Sequence, residues 1–405
     1  MRKLLFFIFL ILTFTASAGN SKLSQKQFKK DIQNVKQDLK NNKNLEKCET
    51  TLRKYLSDSL YANDKSTHLL LTECLRKQYA SGNEKMYLKE KVDTATIVRT
   101  NVRMFLAIEA LDSLDAKPNS KGIVEPSYRK KHAEILIPYW NNILKGGIYF
   151  FAHSNWKEAW QCFDTYLDCF KQPLFSNEKL DSTQFEFASF LATMSACNIS
   201  QLHNAQKYAN GAIAYTPRKE MVLQRLADLC AEKKDTVHFL SYLNTGYQSF
   251  SHSAYFFPNI IDYYCGIKDL DTALKYANDA IGKDSLNTMY LAARHNIYMM
   301  MQRYDDALAD GITLLNINST LPVPNYNVAC IYYEKAQKVM KQSNLPYKQR
   351  LKNSQTYYQK CKPYMEKYRE LMPSDKKLWV PVLYEVYLNL NMGKEFEEIT
   401  KILEK

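Results

Sequence analysis

The chain has 405 residues, enough for two or three ordinary domains, with only 11 glycines and 12 prolines against 29 tyrosines, a balance that suits a nearly all-helical protein. Its formal charge is +13, but the lysines and arginines are spread along the whole chain, which argues for solvated helix faces and against a nucleic-acid patch. Nine cysteines in a chain this long, with no Cys-x-x-Cys, exclude a small disulfide scaffold and a close-paired zinc site.

Residues 1–18 read as an export signal. Arg2 and Lys3 form the charged start, Leu4 to Leu12 the apolar run, and Ala16-Ser17-Ala18 the small residues before Gly19. The run is too short for a permanent span, and no Cys follows it to carry a lipid; an uncleaved anchor is the alternative. No other stretch approaches membrane length. The expected mature chain is exported, soluble in the periplasm or outer envelope, with no transmembrane segment. Residues 22–58 read as two amphipathic helices, 66–92 as a pair turning at Ser81-Gly82-Asn83, and 95–114 as one more helix. Pro118, Gly122 and Pro126 mark a loop. The expected organisation is a degenerate helical-repeat segment over 19–126, a separate helical domain being the alternative, followed by a regular array over 127–405.

The regular array shows itself as two ladders. Ala205, Phe239, Ala273 and Ala307 are 34 residues apart, and so are Thr193, Ala227, Ile261, His295 and Ala329. A first unit over about 137–170 places Gly147, Phe150, Trp156, Ala159 and Phe163 in the same pattern, and residues 171–182 then add twelve to the period. In each unit a small residue on the first helix lets it approach an Ala on the second, and aromatic side chains fill the space around that contact. The sixth unit is split: Ala329 keeps register, but its partner position falls at Cys361, which puts 20 extra residues between the helices. The segment 335–360 is therefore expected to lengthen both helices into an arm. A last pair, 377–390 and 394–405, turns at Gly393 and closes the array with a polar cap.

These residues resemble the tetratricopeptide repeat, whose period is 34. The resemblance implies an all-α fold, a right-handed solenoid of antiparallel helix pairs. Glu84–Thr94, Tyr128–Glu134 and Trp379–Phe396 are similar to exported repeat proteins of anaerobic gut Gram-negative bacteria, which implies an envelope setting and no established activity. Arg294 and His295 stand where Leu and Gly are usual, and Thr193 replaces Gly, so local distortion is expected in the second and fifth units.

The seven histidines include no pair three or four residues apart, and there is no Gly-x-Ser-x-Gly, phosphate loop or Gly-x-Gly-x-x-Gly. His132 with Glu134 is a chance pairing on a charged helix, and His295 reads as a satisfied core histidine. No catalytic residue, metal or cofactor is expected. The resemblance implies a concave groove lined by the first helix of each pair. Carried over, it is lined by Tyr255, Asn259 and Asp262, then Asn296, Met299 and Met300, then Tyr326, Asn327, Tyr333 and Glu334. Asn suits the backbone of an extended peptide, and Tyr and Met give adaptable apolar contact. The expected function is a scaffold that binds protein or peptide partners. The alternative is a module for glycan or acidic polymer, using Trp140, Trp156, Trp160 and Trp379 with lysines. Most cysteines are expected to be buried thiols, with one or two disulfides in an oxidising compartment as the alternative.

Overall fold

The computed structural model describes residues 25–118, 121–178 and 181–404; the proposed export signal lies outside them. Among the described residues there are nineteen α-helices, three short 3-10 turns and no strand. The chain divides into two compact units, Met1–Leu229 and Cys230–Lys405.

The first unit holds α1 (Gln25–Lys40), α2 (Leu45–Leu56), α3 (Lys65–Tyr87), α4 (Thr94–Asp115), α5 (Arg129–Ala152), α6 (Trp156–Asp168), α7 (Ser182–Asn198), α8 (Leu202–Lys207) and α9 (Ala209–Ala214). The division falls within α10 (Lys219–Glu232). The expected turn at Ser81-Gly82-Asn83 is absent, because α3 runs straight through it. Gly82 serves close packing instead: a Cβ there would lie 3.0 Å from Cγ1 of Ile97 on α4. Cys169 lies just beyond the end of α6, with its thiol donating to the Thr165 carbonyl.

The second unit holds α11 (Thr236–Ser249), α12 (Phe256–Gly266), α13 (Leu270–Lys283), α14 (Thr288–Met300), α15 (Tyr304–Ile317), α16 (Pro322–Met340), α17 (Tyr347–Leu371), α18 (Lys376–Asn389) and α19 (Gly393–Leu403). From α11 onward each helix packs on the next. The extra residues of the sixth pair lengthen α16 and α17, which stay in contact: Gln337 donates to the Tyr358 hydroxyl at 2.9 Å, and Arg350 to the Met340 carbonyl.

Both ladders are interior. Ala159, Ala205, Ala273, Ala307 and Cys361 are fully buried, as are Thr193, Ala227 and Ala329, with Ile261 and His295 nearly so; Phe239 is half-buried. The turns repeat as well. Ser200, Lys234, Lys268 and Gln302 all have φ between 51° and 62°, at a step of 34. After each, the backbone N–H of the next residue reaches the carbonyl five back, as in Asp235 to Cys230, Asp269 to Tyr264 and Arg303 to Tyr298. This is a Schellman closure built on non-glycine residues, and it ties off the last carbonyls of the first helix. Asp235 and Asp269 then cap the second helix by accepting from the N–H of His238 and Thr272.

The fifth pair is not distorted by its unusual residues. In the first regular pair the small residue is on α5 and the large one on α6, since a Cβ on Gly147 would lie 2.5 Å from the Phe163 ring. In the fifth pair the sizes are exchanged. His295 occupies the small position of α14, and Gly311 stands on α15 where Phe163 stands on α6; a Cβ there would lie 3.0 Å from Cε1 of His295. Arg294 is held by Asp310 in a two-bond fork at 2.8 and 2.7 Å. The second pair is distorted as expected: its second helix breaks at Tyr208, whose hydroxyl donates to Asp164 at 2.8 Å.

Candidate functional site

The first helices of successive pairs in the second unit are α12, α14, α16 and α18. Register places the expected groove residues in columns across them. Asp262, Asn296 and Cys330 are 34 apart; so are Cys265, Met299 and Tyr333; and Asn259, Ala293 and Asn327 form a third column. Side chains one full repeat apart sit at equivalent places on neighbouring helices, so each column runs across the face. The two cysteines were missed as members of this face, although the 34-residue step already contained them. Both are half-buried, whereas the other seven are buried, and all nine are unbridged.

Asp262, Asn296, Met300 and Glu334 are exposed, while Tyr255, Asn259, Met299, Tyr326, Asn327 and Tyr333 are half-buried. Asp262 and Glu334 have no ion-pair partner among the described residues. Met299 packs against the small cluster of Tyr298, Ala307 and Ile331. Tyr326 packs on Tyr368, with ring centres 5.0 Å apart. Burial first, then Cys330, pushes the Tyr326 phenol up to about 12; burial also pushes the Cys330 thiol up to about 11. Neither is ionised at neutral pH. The Tyr333 phenol is raised by burial and then by Glu385 of α18, which brings the last pair into the electrostatics of this face.

The two asparagines are partly committed. Asn259 Nδ2 donates to the Tyr255 carbonyl at 2.7 Å, one turn back on its own helix. Asn327 Nδ2 lies 3.0 Å from Nε2 of His295, and His295 Nδ1 lies 2.7 Å from the Ala307 carbonyl oxygen. A carbonyl can only accept, so Nδ1 carries the proton and Nε2 accepts from Asn327. His295, 1% exposed, is thus a neutral core imidazole with both nitrogens bonded; burial pulls its pKa down. In each asparagine the amide N–H₂ has an internal partner, and Oδ1 has none among the described residues.

Trp140 and Trp379 are buried. Trp160 is half-buried, and the Lys207 ammonium stands 5.9 Å from its ring centre. Among the described residues no three His, Cys, Asp or Glu side chains are grouped to hold a metal, and no helix is long and apolar enough to cross a membrane.

No protein-family model matches this sequence, and no curated protein is similar to it in sequence. Several solved structures are similar to parts of this chain. The C-terminal part of a tetratricopeptide-repeat protein of Cytophaga hutchinsonii is 13% identical, covering 64% of this chain and 93% of its own, with a TM-score of 0.40. A tetratricopeptide repeat protein of Parabacteroides merdae is 14% identical over 55% of this chain and 80% of its own, at 0.35. Yeast Tom70 is 10% identical over 86% of this chain and 64% of its own, at 0.33. The repeat assignment rests on this chain's own 34-residue helix pairs and their matching turns.

Proposed function

We propose that this protein is an exported, non-enzymatic helical-repeat scaffold, and that the face of α12, α14, α16 and α18 takes a protein or peptide segment. The observation that carries this reading is the set of columns: three successive helices bring Tyr, Met and Asn side chains to equivalent places, together with acids that lack cation partners. The Asn259 and Asn327 Oδ1 atoms accept backbone N–H groups of an extended segment, and Tyr255, Tyr326 and Tyr333 supply the apolar contact. Asp262 and Glu334 favour lysine or arginine in that segment. Export to the periplasm or outer envelope rests on residues 1–18, and a role in envelope assembly fits that setting.

The test is selection of binders from a random peptide library on the full mature chain. Basic, aromatic-containing peptides should be enriched and should be lost from Asp262→Lys/Glu334→Lys. Enrichment of basic peptides that survives this double reversal places their binding elsewhere. Secretion is tested separately: expression in a Gram-negative host should yield a mature N-terminus at Gly19 in the periplasmic fraction.

A further inference from the structure

We infer that the first unit carries a second binding site, for an acidic amphipathic peptide segment, in the cleft between α3 and α5. The cleft holds about 670 Å³, within the range of roughly 300–1,000 Å³ usual for ligand sites. Its apolar lining is Leu69 and Leu70 of α3, Ile108 of α4 and Ile135 of α5. Leu69, Glu73 and Arg76 recur at the spacing of one helix face. Three cations line it, Lys36 on α1, Arg76 on α3 and Lys131 on α5, all exposed. None has an ion-pair partner among the described residues. The one acid lining the cleft, Glu73, lies 4.0 Å from Lys77.

His132 adds a second, independent observation. The sequence places it on a charged helix beside Glu134, yet it is 5% exposed, stacks on Tyr128 and lines this cleft. Its Nδ1 has no hydrogen-bond partner among the described residues. Buried polar atoms are nearly always paired, so each exception calls for a partner or another explanation; His132 Nδ1 is one of nine among the described residues, and the one that belongs to a residue lining this cleft. The other buried imidazole, His295, has both nitrogens bonded within the fold. An apolar floor, a rim of free cations and an unpaired imidazole nitrogen fit a segment that presents leucine-type side chains beside carboxylates. This is the opposite charge preference from that proposed for the second unit, and it rests on different residues.

The experiment titrates the full mature chain with a short amphipathic peptide of Glu, Leu and Ala, beside its Lys-for-Glu counterpart, inorganic phosphate and vesicles of anionic phospholipid. The acidic peptide should bind, and Arg76→Glu/Lys131→Glu should weaken it at least about tenfold with the melting temperature unchanged, since both side chains are exposed. Asp262→Lys/Glu334→Lys should leave it unaltered, which separates this site from the face on the second unit. The His132 ring signals in an NMR spectrum should shift on binding. Equal binding of the Lys-for-Glu peptide, retention of binding in Arg76→Glu/Lys131→Glu, or a preference for vesicles or phosphate over the peptide would each overturn the inference.

Discussion

The two compact units each bury one histidine on the first helix of a pair, and the two imidazoles are treated oppositely. In the second unit His295 is built in: Gly311 yields the space, the Ala307 carbonyl accepts the hydrogen bond from its Nδ1–H and Asn327 donates to its other nitrogen. In the first unit His132 is enclosed with Nδ1 unpaired, beside a cleft edged by free cations. Burial alone therefore does not distinguish the two imidazoles. The hydrogen bonds of the ring do, with both His295 nitrogens bonded and no partner for His132 Nδ1 among the described residues. The surfaces differ in the same way, mainly cationic at the rim of the cleft that His132 lines and acidic and aromatic along α12, α14 and α16.

The largest effect expected comes from the ladder. Ala273 is fully buried at the contact between paired helices, so Ala273→Trp should destabilise the second unit by about 3 kcal/mol or more, read by denaturant unfolding. An unchanged unfolding midpoint would mean that the ladder does not pack as described. Next is His295→Leu, which leaves the Ala307 carbonyl and the Asn327 amide without their partner; it should cost about 2 kcal/mol. His132→Leu removes no hydrogen bond at Nδ1 and should fall within about 1 kcal/mol of wild type. Equal costs at the two sites would erase the contrast between them.

A pH titration sharpens the comparison further. Glu109 of the first unit is pushed up to about 8, by burial first and then by Asp168 and Asp164. A carboxyl raised in the folded state holds extra protons there. Its contribution is full below about 4.5 and is lost as pH rises through about 8. Glu109→Gln should therefore flatten the fall in stability of the first unit between those values. Both histidines run the other way. Burial pulls their pKa values below 6.5, so the stability they contribute is present above 6.5 and lost as pH falls through the lowered values. The smallest effect is chemical. Under native conditions a maleimide should label Cys265 and Cys330 before the seven buried cysteines, with no change in fold.

Much of the architecture was legible because packing repeats at a fixed step. The 34-residue ladders located the pairs from Ser182 onward, and the shift of the partner position to Cys361 located the lengthened α16 and α17. The turns were less legible. Lys234, Lys268 and Gln302 adopt the left-handed conformation that usually announces itself as glycine, so only their spacing marks them. Conversely, Gly82 looked like a turn and is a packing residue inside α3. Compensation across a pair is also hard to read: His295 looked disruptive because its counterpart, Gly311, lies 16 residues away. Of the proposed groove, the columns follow from register alone. The internal use of the Asn259 and Asn327 amides does not, because it depends on which neighbour each side chain reaches. The cleft around His132 draws on α1, α3, α4 and α5, in the part of the chain where no period aligns them.

The most direct measurement is a competition on the full mature chain between a basic aromatic peptide selected on the second unit and the acidic Glu, Leu and Ala peptide. Two sites of opposite charge preference predict that both peptides bind at once, one of each, and that each is lost only with its own pair of charge reversals. Mutual displacement, or loss of both peptides with either pair, would contradict two separate sites.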